Sequence, residues 1–246
     1  ENFDINLTIN GSRIEFLANK GHILNNTIKS FKGLIEDFTE TQPMLLIETT
    51  TDSPLDIMLN AVNKSPIKQA MKGTSDDMRG KGPGELNLHL NIPMKNVDNI
   101  TFNGIYTFTG SSLDNPSLDL PLLSNINGTL IFDTNTVSIK NAEAILFDQP
   151  VAITLNNLND ITLIDIKGSV DTDFIKSKLG IDWGKNINGK TEWQAIYKLK
   201  DKESELSLTS DLIGISIENF QDFNKSPEQE KSFVLKKNTS AKGSNY

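Results

Sequence analysis

Hydrophobic and polar residues alternate along most of this chain. Phe3, Ile5, Leu7 and Ile9 alternate with Asp4, Asn6, Thr8 and Asn10. A β-strand points successive side chains to opposite faces, so this segment gathers its apolar residues on one face of a sheet. Asn10-Gly11 predicts a hairpin turn, and Ile14, Phe16 and Ala18 continue on the return strand. The same rhythm recurs at Leu86, Leu88, Leu90 and Ile92, and at Ile100, Phe102 and Ile105 to Phe108. Ile126, Gly128, Leu130 and Phe132 lead into a polar turn at Asp133-Thr134-Asn135, followed by Val137, Ile139, Ala144 and Leu146. Gln149-Pro150 predicts a break before Val151, Ile153 and Leu155, with Ile164 and Ile166 next. Trp193, Ala195, Tyr197 and Leu199 alternate cleanly, as do Leu206 and Leu208, then Ile213, Ile215 and Ile217. About a dozen strands joined by short turns predict a mainly β fold, an elongated and curved antiparallel meander.

Two stretches break the rhythm. Between Pro54 and Lys72 the apolar residues fall three and four apart, at Leu55, Met58, Leu59, Val62, Ile67, Ala70 and Met71. That spacing predicts amphipathic helix. Ser53-Pro54 and Ser65-Pro66 each place a capping residue before a Pro suited to the first helical position, which predicts two short helices broken at Lys64-Ser65. The second stretch is Asp171 to Leu179, with Gly180 as its stop.

Each helical stretch runs into a Gly-rich loop and then an alternating strand: Gly80-Lys81-Gly82-Pro83-Gly84 before Glu85 to Ile92, and Gly184 to Gly189 before Lys190 to Leu199. Aligning Gly84 with Gly189 gives an internal repeat, of a kind that builds elongated stacked architectures. The expected organisation is a continuous β-groove over 1–218 with helical inserts at about 54–72 and 171–179, then a polar loop or disordered tail over 219–246. The chain starts inside a strand pattern and ends in polar residues, as expected of a fragment of a longer protein.

Composition narrows the function. The net charge is −8, and no Lys/Arg cluster offers a nucleic-acid footprint. There are no cysteines, which removes disulfide scaffolds, Cys-ligated metals and thiol catalysis. Two histidines, His22 and His89, exclude a multi-histidine metal centre. No apolar run approaches the roughly 18 residues that span a bilayer.

Candidate chemistry is sparse. Gly184-x-x-x-x-Gly189-Lys190-Thr191 matches the phosphate-binding P-loop formally. That loop works because a helix follows it and aims its amides at the phosphates. Here a helix precedes and an alternating strand follows, so the match is read as a chance one in an ordinary turn. Ser65-x-x-Lys68 has a serine β-lactamase spacing without the companion motifs. Asp76-Asp77 and the Asp171/Asp173 pair sit near helices, where carboxylates favour helix starts. No catalytic residue, metal ligand or cofactor is assigned, and an enzyme is not expected.

The apolar stripes themselves are the main signal. In a closed sandwich they would form the core. Many near-sequential hairpins, a long repeat and only 7% aromatic residues fit a long curved sheet better. Its apolar face needs a covering helix, a partner or a greasy ligand.

Three segments carry a resemblance. One is Leu120-Pro121-Leu122-Leu123-Ser124-Asn125-Ile126-Asn127-Gly128-Thr129-Leu130-Ile131-Phe132, with Val137 to Phe147 and Gln149-Pro150-Val151 behind it. The second is Ser210-Asp211-Leu212-Ile213-Gly214-Ile215-Ser216-Ile217 with Phe223-Asn224-Lys225. The third is Pro54 to Pro93. Over about residues 31–235 the chain resembles the AsmA-like family of Gram-negative envelope proteins, most closely its YhdP branch, related to TamB. The resemblance implies a long periplasmic β-groove with a hydrophobic interior in a protein anchored in the inner membrane. It also implies a part in moving phospholipid between inner and outer membranes, and no catalytic residues.

The expected function is therefore a non-enzymatic segment of a periplasmic phospholipid-transport protein. Acyl chains would lie along the apolar face, each buried CH₂ contributing about 0.8 kcal/mol. The expected lining residues are Leu86, Leu88, Leu90, Ile92, Leu130, Phe132, Ile153, Leu155, Trp193, Tyr197, Leu206 and Leu208. The expected partners are phospholipid acyl chains and, through parts of the full-length protein outside this chain, the two membranes. The alternative is an envelope assembly scaffold whose β core is filled by its own side chains.

Overall fold

The computed structural model describes residues 4–23, 26–64, 77–96, 99–158, 161–180, 186–200, 203–219, 223–240 and 243–245. Its strands are β1 (Asn6–Asn10), β2 (Arg13–Ala18), β3 (Gly21–Ile23), β4 (Asn26–Ile35), β5 (Met44–Asp52), β6 (Arg79–Lys81), β7 (Gly84–Pro93), β8 (Thr101–Asn115) and β9 (Leu120–Asp133). They continue with β10 (Val137–Leu146), β11 (Gln149–Leu158), β12 (Ile161–Asp171), β13 (Ile187–Lys200), β14 (Glu203–Ser210), β15 (Ile215–Ile217), β16 (Phe233–Ser240) and β17 (Gly243–Asn245). Among the described residues two helices interrupt them, α1 (Leu55–Asn63) and α2 (Thr172–Leu179), and a 3₁₀ turn at Pro116–Leu118 joins β8 to β9.

Every strand pairing is antiparallel, and the strands form one open sheet. The central path is a near-sequential meander from β1 through β2, β4, β5, β7 and β8 to β14 and β16, with short β3, β6 and β15 flanking the longer strands. This is the curved antiparallel meander that the alternation predicts. Short turns make it possible. Asn10 pairs with Arg13 across the expected hairpin, and the Asp133 carboxylate accepts from the Asn135 and Thr136 amides in the β9–β10 turn. The β10–β11 turn falls at Phe147-Asp148, both left-handed at φ 49° and 64°. Pro150 lies inside β11 opposite Ile145, one residue beyond the β12 ladder that starts at Val151, so no β12 carbonyl needs its missing N–H.

Pairing register carries the apolar alternation from strand to strand. One row runs Thr51, Leu86, Tyr106, Leu130, Ile139, Leu155, Ile164, Tyr197, Leu206, Lys237. The row one residue away runs Thr50, Asn87, Ile105, Ile131, Ser138, Asn156, Leu163, Lys198, Glu205, Asn238, and most of it is polar and faces solvent. A slip of one residue would exchange these faces, so burial fixes the register. The inner face curls onto itself into one core that includes Tyr106 and Ile166, each 0% exposed.

The helices follow their sequence signals with one exception. Asp171 caps α2, its carboxylate accepting from the Asp173 amide at 2.8 Å, and Gly180 ends it at φ 63°. α1 ends at Lys64, where the break is expected, and the second expected segment from Ser65 lies outside the described residues. The exception is the start of α1. Pro54, not Ser53, occupies the cap position, and no side chain caps the helix. Ser53 is instead held just past the end of β5: its N–H donates to the Gly84 carbonyl and its own carbonyl accepts from the Tyr106 hydroxyl, each at 2.8 Å.

The two helical units share a construction. In each, a strand beyond the helix returns to pair with the strand before it, β7 with β5 at Glu85 opposite Asp52 and β13 with β12 at Lys190 opposite Asp171. Each holds a left-handed glycine against another segment's backbone: Gly82 beside Ser111 of β8, Gly189 beside Gly214 just before β15. The first of these is Gly82, two residues before the expected counterpart Gly84.

The segment expected to be a polar tail is corrected. Phe233–Ser240 forms β16, paired with β14 from Ser210 opposite Phe233 to Ser204 opposite Thr239, and β17 follows. The edge of β14 offers open hydrogen-bonding groups, and Leu235 falls opposite Leu208 on the apolar face.

Candidate functional site

The candidate site is the inner face itself. All twelve expected lining residues fall on it. Leu86 and Leu130 flank Tyr106, while Leu88 and Phe132 flank Gly104. Leu90 pairs with Ile47, and Ile92 with Leu45. Leu155, Tyr197 and Leu206 continue one row, Ile153 and Leu208 the next, and Trp193 sits opposite Gly168. Their burial differs. Phe132, Ile153 and Tyr197 belong to the packed core, and Leu86, Leu88, Leu90, Leu130, Leu155, Trp193, Leu206 and Leu208 pack against it half-buried.

The apolar face is most open at the two sheet margins. At one, Leu7 and Ile9 of β1 continue the rows of Phe16 and Ile14 and are 55% and 61% exposed. At the other, Phe233 and Leu235 of β16 extend the face past Leu208 and are 41% and 43% exposed. Between them the curl fills much of the interior. Phe102 and Phe132 lie 6.3 Å apart between ring centres, and Tyr106 meets Phe108 edge-on at 4.9 Å. α1 adds Leu55 and Leu59 to the same core.

Close approach explains where side chains are missing. A Cβ on Gly84 would sit 2.1 Å from the Tyr106 hydroxyl oxygen, and one on Gly168 would sit 2.8 Å from the Trp193 ring. These glycines let large rings lie flat on the neighbouring strand. Beside Trp193 and Gly168 a depression of about 650 Å³ opens, rimmed by Lys167, Glu192, Asp211 and Glu230. By register Lys167, Gln194 and Thr209 of its lining share one row on the outer face.

One group of polar side chains on the inner face sits where the curl closes. Asp119, left-handed at φ 53° after the 3₁₀ turn, accepts from Lys237 Nζ at 3.1 Å and from the Thr239 hydroxyl at 2.5 Å. The Tyr197 hydroxyl reaches its backbone carbonyl at 3.5 Å. These hydrogen bonds, the Thr239 one foremost and Lys237 with it, hold the Asp119 carboxyl below the usual carboxylate range. Burial, with the Asp119 charge nearby, pushes the Tyr197 hydroxyl up to about 12. The sequence reading missed this cluster. Its signal in the sequence is faint: Phe233 and Leu235 are two apart, but Val234 between them is also apolar and Lys236 to Ser240 are all polar.

The other sequence candidates are dispersed. Gly189, Lys190 and Thr191 lie within β13, and Gly184 falls outside the described residues. The backbone continues from Thr191 as strand to Lys200, so no helix follows the loop, and Thr191 shares a hydrogen bond with Ser210 at 3.1 Å. His89 is exposed on the outer face, its Nδ1 3.8 Å from Glu48. Ser65, Lys68 and Asp76 fall outside the described residues, and Asp77 accepts a hydrogen bond from Ser117. Among the described residues no three His, Asp or Glu side chains converge on a metal position, and no helix is long and apolar enough to cross a membrane.

A single open antiparallel sheet with one apolar face and short helical inserts defines a β-groove protein. The model of the family described as YhdP protein matches this chain over residues 1–245, and the chain belongs to that family, the YhdP branch of the AsmA-like envelope proteins. No curated protein and no solved structure matches it.

Proposed function

We propose that this chain is a segment of a periplasmic intermembrane phospholipid-transport protein. Its inner face shelters acyl chains between inner and outer membranes while headgroups stay at the polar rim. The observation that carries this reading is the register: every strand of the meander turns its apolar side the same way, and the resulting face is still open at β1 and β16. Family membership points the same way. The chemistry is passive. Removing an acyl chain from water contributes about 0.8 kcal/mol per CH₂. Aliphatic side chains recognise no particular headgroup, so a lipid can pass from one contact to the next.

The test is site-specific photo-crosslinking. A photoreactive residue at Leu88 or Leu208 should capture phospholipid in cells, and one at Asn156 or Lys198 on the outer face should not. Equal capture from both faces would refute the reading.

A second reading has its own observation. The core around Tyr106, Ile166 and Leu199 is packed by the chain's own side chains. A self-filled scaffold for envelope assembly would have that core. It predicts no lipid capture from either face.

A further inference from the structure

The sheet curls along its hydrogen-bonding direction until β16 returns to the turn before β9. The path between them is continuous through β10, β11, β12, β13 and β14. Across the closing seam the joint is of a different kind. Among the described residues no ladder connects β9 with β16: β9 pairs with β8 and β10, β16 with β14 and β17. What spans the seam is side chain. Lys237 and Thr239 of β16 both reach the Asp119 carboxylate, and Tyr197 of β13 reaches the Asp119 carbonyl. Behind the seam lie Leu120, Leu123, Ile126 and Leu199, all 4% exposed or less.

This asymmetry singles out where the interior can open. Parting any other neighbouring strands breaks a ladder, such as the seven register pairs between β14 and β16. Parting the seam breaks no ladder that crosses it, and it strips the end of β9 beside Asp119 of the packing that steadies its own ladders with β8 and β10.

We propose that Asp119, Lys237 and Thr239 form a side-chain latch, and that its release opens the interior of the β9–β16 half to an acyl chain. The ligand in this statement rests on the transport reading above; the motion does not. Asp119 is the movable partner. It stands at the end of a short 3₁₀ turn, whereas Lys237 and Thr239 are held in a paired strand.

The chain has no cysteine, so an Asp119→Cys/Thr239→Cys variant carries only the two seam thiols. These are bridged with dibromobimane, and the protein is mixed with phosphatidylethanolamine–phosphatidylglycerol vesicles bearing a photoactivatable acyl chain. The latch predicts that bridging lowers acyl labelling of β9 and β13 at least tenfold against the unbridged variant. Equal labelling would overturn it. If the wild-type chain takes up no acyl chain, the transport reading fails, and the latch is judged by hydrogen exchange instead. Asp119→Ala, and independently Lys237→Met, should then speed amide exchange over Leu120–Ile126 at least fivefold and leave β11 and β12 unchanged. Unchanged exchange at the seam in both variants would overturn the latch.

Discussion

The hydroxyl of Tyr106 donates to the backbone carbonyl of Ser53 at 2.8 Å, tying the centre of the inner face to the chain entering α1. Tyr106 is 0% exposed, and burial raises its hydroxyl well above the usual tyrosine range. Removing the donor leaves a buried carbonyl unpaired, which costs about 1–3 kcal/mol. Tyr106→Phe should therefore lower Tm by several degrees in a thermal melt. Gly84→Ala should cost about as much by overpacking, since its Cβ would meet the same hydroxyl.

Gly189 tests the turn reading of the P-loop match. Its φ is +117°, and an added Cβ would sit 2.0 Å from the Gly214 carbonyl oxygen. Gly189→Ala should destabilise the fold by about 1–3 kcal/mol through strain. Lys190→Ala, on the exposed side of β13, should leave stability within about 0.5 kcal/mol. Calorimetric titration of the wild-type chain with ATP and Mg²⁺ should give no binding heat. A saturable heat lost in Lys190→Ala would overturn the turn reading.

Acid should loosen the seam. The Asp119 carboxyl lies below its ordinary value of about 3.9 because Thr239 and Lys237 bind its charged form. A depressed folded value means that this contribution is complete above the ordinary Asp value and is lost as pH falls through the folded one. Lys237 donates to the carboxylate, and the Tyr197 hydroxyl, raised to about 12, reaches the Asp119 backbone carbonyl. Amide exchange over Leu120–Ile126, corrected for intrinsic pH effects, should rise on acidification below about pH 4. Asp119→Asn should exchange fast at neutral pH and lack the acid step.

Lys29 gives the opposite sign on the outer face. It meets Asp52 at 2.6 Å and Glu85 at 2.8 Å, across β4, β5 and β7. These partners, Asp52 first, raise its ammonium to about 12. A raised value means the contribution is present below the ordinary lysine range and lost as pH rises through about 12. Because the groups are exposed, Lys29→Met should shift Tm only slightly, and added salt should shrink the difference.

Much of this fold is legible in the sequence, because a buried face imposes period two on every strand that joins it. Leu86 to Ile92 and Trp193 to Leu199 announce their strands in that way, and Asp171 and Gly180 announce both ends of α2. The misses have physical causes. Ser53 has the composition of a helix cap, but its N–H is bonded to the Gly84 carbonyl just past the β5–β7 ladder, and Pro54 takes the cap position. The strand at Phe233–Ser240 follows a long polar segment, and its inner positions change from Phe and Leu to Lys and Thr midway. Its place depends on the free edge of β14, which no local pattern records. The Asp119 cluster joins residues 118 and 120 positions apart, a distance that only the curl of the whole sheet closes.

The measurement closest to the central claim is native mass spectrometry of the chain purified from a Gram-negative host, followed by lipid extraction. The account predicts co-purified phospholipid in the wild type. It predicts loss of that lipid in a folded Leu88→Asp/Leu208→Asp variant, and retention in Leu163→Asp on the outer face. A clean apo mass for a folded wild type, or lipid that survives the double inner-face change, would contradict it.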